Sequence, residues 1–503
     1  RDVEQKTLTL SSENNYLAQT TNGYMYITDG TSIYQSTNEG VTWGSAMSST
    51  GISYAIQGIV AFGNDLFIVT GDGGTNKQLI SYDLSANNFD TENLGSVFTG
   101  AFTGIWFAKG TLFVSGKSTT AEYLWQSSPF TANFSGDFET TDALVTTEPT
   151  HQFTSVTDAG AVVLAGNTDS NVYSLKIDGG TWSLKGQTQL AFEEIHSLAA
   201  TEGIVYIGTK GYQSNTGRFY TAELTVADNL YVLANRQLIK EWDNGVDQSP
   251  HSMFVTRDSV YMGIHESATE TNLWRYYLPT AGIARDLSVT HTSDTNAKVT
   301  GITQTGTTGG KFIILISGVG VFKQTDTFVS TGYIISALAD FYTSEKKQWV
   351  GAKLNTNGVS FGTVELATTT IPNDINNSAS NTWTPQISVA AGSGGEEEVL
   401  ELVQGRWMSA KLTITTSDTS QSPELLSFAV RGFQLVNDLV VDMPINISDQ
   451  VERPFRKALR VNGQGDLIYQ ALRNKEGQNV QLEIFRPDTL LRGIIENVSS
   501  PIE

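Results

Sequence analysis

Seven times along residues 1–331 the chain repeats one pattern: a small-residue turn, a run of β-branched and aromatic residues, a polar turn, then a second short apolar stretch carrying an aromatic. The runs are Gly23–Ile27, Asp65–Val69, Gly110–Val114, Gly160–Leu164, Gly203–Ile207, Ser259–Gly263 and Gly310–Ile314. Turn residues bounding short β-formers mark strands. The spacing of roughly 40 to 56 residues is that of one four-stranded propeller blade. A lone blade cannot bury its own apolar faces, so the repeat predicts a closed ring.

The pattern extends to the other strands. Innermost strands are expected at Tyr16–Gln19, Ile56–Val60, Phe102–Trp106, Phe153–Val156, Ile195–Leu198, Ser252–Phe254 and Val299–Ile302. Third strands carry Tyr34, Tyr82, Trp125, Tyr173, Tyr220, Trp274 and Phe322, rings suited to filling wedge-shaped interfaces between blades. The alternating Thr7–Leu10 is expected to close the ring by adding a strand to the last blade.

The period stops near Thr331. Short strands and turns then run through Gly332–Ala337, Lys346–Trp349, Val359–Leu366, Gly405–Met408, Lys411–Thr415 and Pro423–Phe428, which describes a β-sandwich over 332–434. From 435 to 503 a small α+β docking domain is expected. Asp466 caps a helix there, Leu467, Ile468, Ala471 and Leu472 share one face, and Gly477 ends it. Strands Asn479–Phe485 and Leu491–Val498 follow. The fold class expected is therefore all-β: a roughly seven-bladed β-propeller, a β-sandwich, and a small α+β end.

Composition narrows the function. A formal charge of −21, spread along the chain, repels phosphate backbones and makes nucleic acid an unfavourable partner. No stretch of about 18 apolar residues is present, so no membrane span is expected. With no cysteine, stability rests on buried area. The start at Arg1 rather than methionine suits a processed product or the ordered part of a longer polypeptide.

Ser36-Thr37-Asn38-Glu39-Gly40-Val41-Thr42-Trp43 resembles the Asp-box turn of sialidases and related propellers, with Asn38 where Asp is usual. The role of such a turn is structural. In the turn formed by Ser36, Asn38, Gly40, Thr42 and Trp43, the Asn38 carboxamide caps backbone N–H groups, Gly40 supplies a positive φ, and Trp43 packs beneath the hairpin. Lys176–Trp182 is a shorter echo. A sialidase needs several arginines converging on a carboxylate. Arg218, Arg236, Arg257, Arg275 and Arg285 lack the Phe-Arg-Ile-Pro setting of that family. His151, His196, His251, His265 and His291 are scattered without metal-site spacing, and Gly71–Asn76 reads as a glycine turn rather than a calcium loop. No catalytic, metal or cofactor residue is assigned, and an enzyme is not expected.

The order of segments carries the resemblance. Gly332-Tyr333-Ile334-Ile335-Ser336, then Lys346-Lys347-Gln348-Trp349, then Trp407–Ile414 closing on Ser422-Pro423-Glu424-Leu425-Leu426-Ser427-Phe428 is similar to the minor tail and tail-tip proteins of long-tailed bacteriophages. The match covers about 332–434, and the rest by architecture; the end, from Val440–Ile445 through Leu467–Leu472 to Arg492–Val498, is similar to the small split-barrel ends of such tail proteins. The resemblance implies a structural virion protein of a tail tip or baseplate, assembled in the host cytoplasm. Its partners would be other tail proteins, copies of itself, and a host-surface glycan or protein. Leu467, Ile468, Leu472, Arg492 and Ile494 are the assembly surface it suggests. The alternative is a carbohydrate-binding or sialidase-like propeller stacking sugars on Trp43, Trp106, Trp125, Trp182 or Trp274.

Overall fold

The computed structural model describes residues 2–47, 51–72, 76–83, 88–91, 99–127, 138, 140–306, 310–336, 339, 347–357, 359–370, 382–393, 395–400, 404–405 and 407–434, with the backbone of four further strands, Gln450–Arg453, Arg456–Arg460, Asn479–Glu483 and Leu490–Ile494. Every regular element among the described residues is a strand. Contacts divide the chain into two compact units: Arg1–Ser330 with Thr419–Gln421, and Thr331–Asp418 with Ser422–Glu503.

In the first unit each run of the sequence pattern is the second strand of an antiparallel meander. Ile56–Phe62, Asp65–Gly71, Lys77–Asp83 and Asn88–Thr91 make one such sheet, and Glu193–Thr201, Ile204–Gly211, Gly217–Ala227 and Leu230–Trp242 another. The turns are tight because the residues permit it. Lys109 and Gly110 both lie at positive φ between paired Ala108 and Thr111, the arrangement whose twist matches that of the flanking strands.

The sheets form a ring. Their innermost strands touch in the order Leu17–Gln19, Ile56–Phe62, Ala101–Ala108, Phe153–Asp158, Glu193–Thr201, Met253–Val255 and Val299–Gln304, and the last touches the first. This is a β-propeller. Its core is distributed, since each junction between adjacent sheets has its own buried cluster. Phe67, Val69 and Leu79 of one sheet meet Phe102, Ile105 and Leu112 of the next. Phe113 lies edge-on to Trp182 of the following sheet with ring centroids 5.2 Å apart.

The clasp is Val3–Gln5, not Thr7–Leu10. Val3, Glu4 and Gln5 pair antiparallel with Gln324, Lys323 and Phe322 of the last sheet. Thr7–Leu10 alternates for another reason: Leu8 and Leu10 are buried with Met25, Ile27, Ile313 and Leu315 between the last and first sheets. Beyond the clasp, the Asp29 carboxylate accepts bonds from the Ser11 and Ser12 amides, and Asn15 donates to the Thr28 carbonyl while accepting from the Gly318 amide. The entering chain is thereby held to both sheets it joins.

The second unit contains two antiparallel sheets. One orders Thr331–Ile335, Ser409–Thr415, Thr363–Thr369 and Thr384–Ala390. The other centres on Lys347–Thr356, paired with Gly395–Leu400 and Gln404–Gly405 and, along its length, with Leu425–Gln434. Trp349, Ala352 and Leu354 from the second sheet share a core with Val364, Leu366 and Leu412 from the first and with Met408, just before its Ser409–Thr415 strand. The expected helix with Leu467, Ile468 and Leu472 lies outside the described residues. Arg492 and Ile494 fall on the strand Leu490–Ile494, paired with Asn479–Glu483.

Candidate functional site: the axial channel

The inner strands of the ring are rich in Gly, Ser and Thr where they crowd toward the axis, and they enclose a cavity of about 620 Å³. Several hydroxyls on and beside this wall hold neighbouring sheets together. Thr154 donates to the Ile195 carbonyl of the next sheet at 2.6 Å, and Ser155 accepts from the Leu198 amide at 3.0 Å. Ser197 donates to the Pro250 carbonyl, and Thr303 bonds to Gln19 at 2.5 Å across the closure. Hydrogen bonds of this kind satisfy buried groups while fixing the relation of one blade to its neighbour.

Two titratable features stand out on the wall. Thr103, on the channel surface, donates at 2.6 Å to Glu122, which is fully buried behind it on the third strand of the same sheet. Burial pushes the Glu122 carboxyl up to about 7, and the bond from Thr103, the charge of Lys117 and the Phe153 amide lower it only in part. The group is therefore a proton-holding carboxyl near neutrality.

The second feature is a histidine pair. His196 and His251, from adjacent sheets, meet edge-to-face with ring centroids 4.4 Å apart. Ser249 lies 2.9 Å from His251 Nε2 and donates to Asp247, whose carboxylate is 3.1 Å from Lys210 Nζ. Burial and the neighbouring His196 push His251 down to about 4, against the attraction of Asp247. Burial favours the neutral form of Asp247, but the bonds from His251 and Ser249 and the Lys210 charge outweigh it and hold the carboxyl far below its ordinary range. Serine and aspartate both address the same ring nitrogen, so the group does not have the order of a nucleophile–base–carboxylate relay. No cluster of three or more His, Asp or Glu among the described residues is arranged to hold a metal.

The Asp-box-like residues are brought together as one turn. Gly40 N donates to Ser36 Oγ at 2.9 Å, Thr42 N to Asn38 Oδ1 at 2.9 Å, and Asn38 Nδ2 to Thr42 Oγ1 at 2.8 Å. Gly40 has φ +74° and Trp43 packs on the core between the last and first sheets. The shorter echo is a different structure. Gly179 and Gly180, both at positive φ, make a two-residue hairpin turn between Asp178 and Thr181.

The arginines do not converge on the channel. Arg218 pairs with Glu193 and Glu241, Arg275 with Asp258, and Arg285 with Glu266 and Glu270. Of the tryptophans considered for sugar stacking, Trp125 and Trp182 are buried and Trp43, Trp106 and Trp274 half-buried. The most exposed aromatic side chains among the described residues are instead Phe192 and Tyr212, which no sequence pattern singles out. Among the described residues no helix is long and apolar enough to cross a membrane.

No protein-family model matches the chain, and no curated protein matches it. Solved structures similar to it include YCF48 from Cyanidioschyzon merolae, at 13% identity over 64% of this chain and 98% of that one, TM-score 0.45. The Cps50 (Swd1) β-propeller domain of Myceliophteria thermophila is similar at 14% identity, covering 64% and 100%, TM-score 0.42. A chain of the mitotic checkpoint complex is similar at 12% identity, covering 64% and 93%, TM-score 0.43.

Proposed function

We propose that this chain is a non-enzymatic structural protein of a phage tail tip or baseplate, in which a seven-bladed ring is the rigid platform and the C-terminal part the assembly joint. The blade count is supported by seven inner strands in one closed cycle, with a core at every junction. A β-sandwich is supported by the two sheets that share the Trp349 core.

The observation that carries the assembly role is the pair of apolar edges on that second unit. Thr331–Ile335 ends its sheet among the described residues and leaves Tyr333 and Ile334 exposed, Tyr333 with Lys411 over one ring face. Among the described residues Leu425–Gln434 pairs on one side only, and it exposes Leu426 and Phe428. Edge strands with apolar side chains are templates for joining another chain unless they are blunted by charge, Pro or cover. Mass spectrometry and cryo-electron microscopy of purified particles test the role. The chain is expected in the distal tail, and Ile334→Asp with Leu426→Asp is expected to block its incorporation. Absence from tails, or unimpaired incorporation of the double variant, overturns the reading.

A further inference from the structure

We infer that one face of the ring carries a saccharide-binding site built on Phe192 and Tyr212, a reading that rests on the attachment side of the role proposed above. The paired strands Glu193–Thr201 and Ile204–Gly211 end on Glu193 opposite Gly211. One step beyond, Tyr212 N donates to the Phe192 carbonyl at 2.9 Å, so the two aromatic residues stand opposite each other on a fixed backbone. Phe192 is 80% exposed and Tyr212 59%.

Neither exposure nor conformation favours phenylalanine at position 192 for folding. Its φ is +61°, a region costly for a bulky side chain, and burial returns nothing for it. A glycine would satisfy the same turn at lower cost. A ring held in water at a strained position is the signature of a contact surface rather than of packing.

The surroundings select the ligand class. The charges beside the two rings are already paired: Lys210 with Asp247 at 3.1 Å, and Arg218 with Glu193 at 2.6 Å and Glu241 at 2.7 Å. Arg218 is shared by two carboxylates, so these pairs present donors and acceptors with a small negative excess, and with the strongly anionic chain this disfavours an acidic sugar. A neutral sugar ring matches this setting. Its C–H face meets the negative face of an aromatic ring, and its hydroxyls meet the polar rim.

The test applies the whole chain to immobilised neutral oligosaccharides of hexoses and N-acetylhexosamines, with sialylated glycans, choline and host-surface protein as competing arms. Saturable binding to neutral glycans is expected. Phe192→Ala and Tyr212→Ala are each expected to weaken it about tenfold, the equivalent of about 1.4 kcal/mol of lost stacking. Phe192→Trp should retain binding. Phe192→Gly relaxes the backbone, so it should keep or raise thermal stability while losing binding, which separates recognition from folding. No glycan binding, binding indifferent to these variants, or preference for choline, sialylated glycans or protein overturns the inference. A chain found in tails that binds no glycan refutes this site alone, whereas glycan binding by a chain absent from tails refutes the structural role alone.

Discussion

Lys323 Nζ donates to the Glu39 carbonyl at 2.6 Å, joining the last sheet of the ring to the Asp-box-like turn of the first across 284 residues of sequence. Burial lowers the Lys323 pKa, and the ammonium finds its acceptor in a backbone group that the turn presents with Glu39 at φ +55°. Lys323→Ala removes this charge-assisted, part-buried bond across the seam. A loss of about 1.5–3 kcal/mol is expected in urea unfolding. Deleting residues 1–10 should have a larger effect, measured as loss of amide protection across Gly320–Gln324 in hydrogen exchange.

Glu122 and His251 make opposing pH dependences. Glu122 has a folded pKa raised to about 7, so the folded state binds its proton more tightly, and this contribution to stability falls as pH rises from about 4.5 to about 7. His251 has a folded pKa lowered to about 4, so the unfolded state takes the proton first, and stability falls as pH drops from about 6.5 to about 4. The two slopes offset each other between about pH 4.5 and 6.5. Glu122→Gln should therefore expose a profile that rises with pH through this window and should stabilise the protein above pH 7. His251→Asn should expose a falling one. Chemical denaturation across pH checks both, and parallel profiles in the two variants would refute the assignment.

Gly263 faces Val299 of the next sheet so closely that a methyl group there overlaps the valine side chain. Gly263→Ala is expected to cost about 1–3 kcal/mol through overpacking. Val299→Ala should recover part of that loss in the double variant, a coupling that independent sites would not show.

Asn38 both accepts from the Thr42 amide and donates to the Thr42 hydroxyl. Asn38→Asp should be tolerated within about 0.5 kcal/mol, because the Thr42 hydroxyl can turn to donate to a carboxylate, whereas Asn38→Ala should cost about 1 kcal/mol. Thermal unfolding of the two variants measures the difference.

The ring was legible in the sequence because its apolar runs are second strands, buried on both faces between neighbouring sheets. Runs such as Leu66–Val69 and Ile313–Ile316 are accordingly apolar without interruption. The clasp was misplaced because burial and ladder pairing leave similar traces. Leu8 and Leu10 alternate into a core, whereas Val3–Gln5, which does pair, is three residues long with Val3 its one apolar side chain. The Glu122 carboxyl, the His196–His251 contact and the Phe192–Tyr212 pair carried no local signal. Each arises from what the closed ring places beside a residue, and in Phe192 a backbone torsion that composition does not express.

The clasp also decides how the ring answers force. Val3 lies opposite Gln324 on antiparallel strands, so the chain enters and leaves at the same end of a short ladder. A load pulling these two points apart reaches the rungs one after another, as in a zipper, rather than shearing them together. Tension through both termini would open the wheel at that seam before it strained any other sheet.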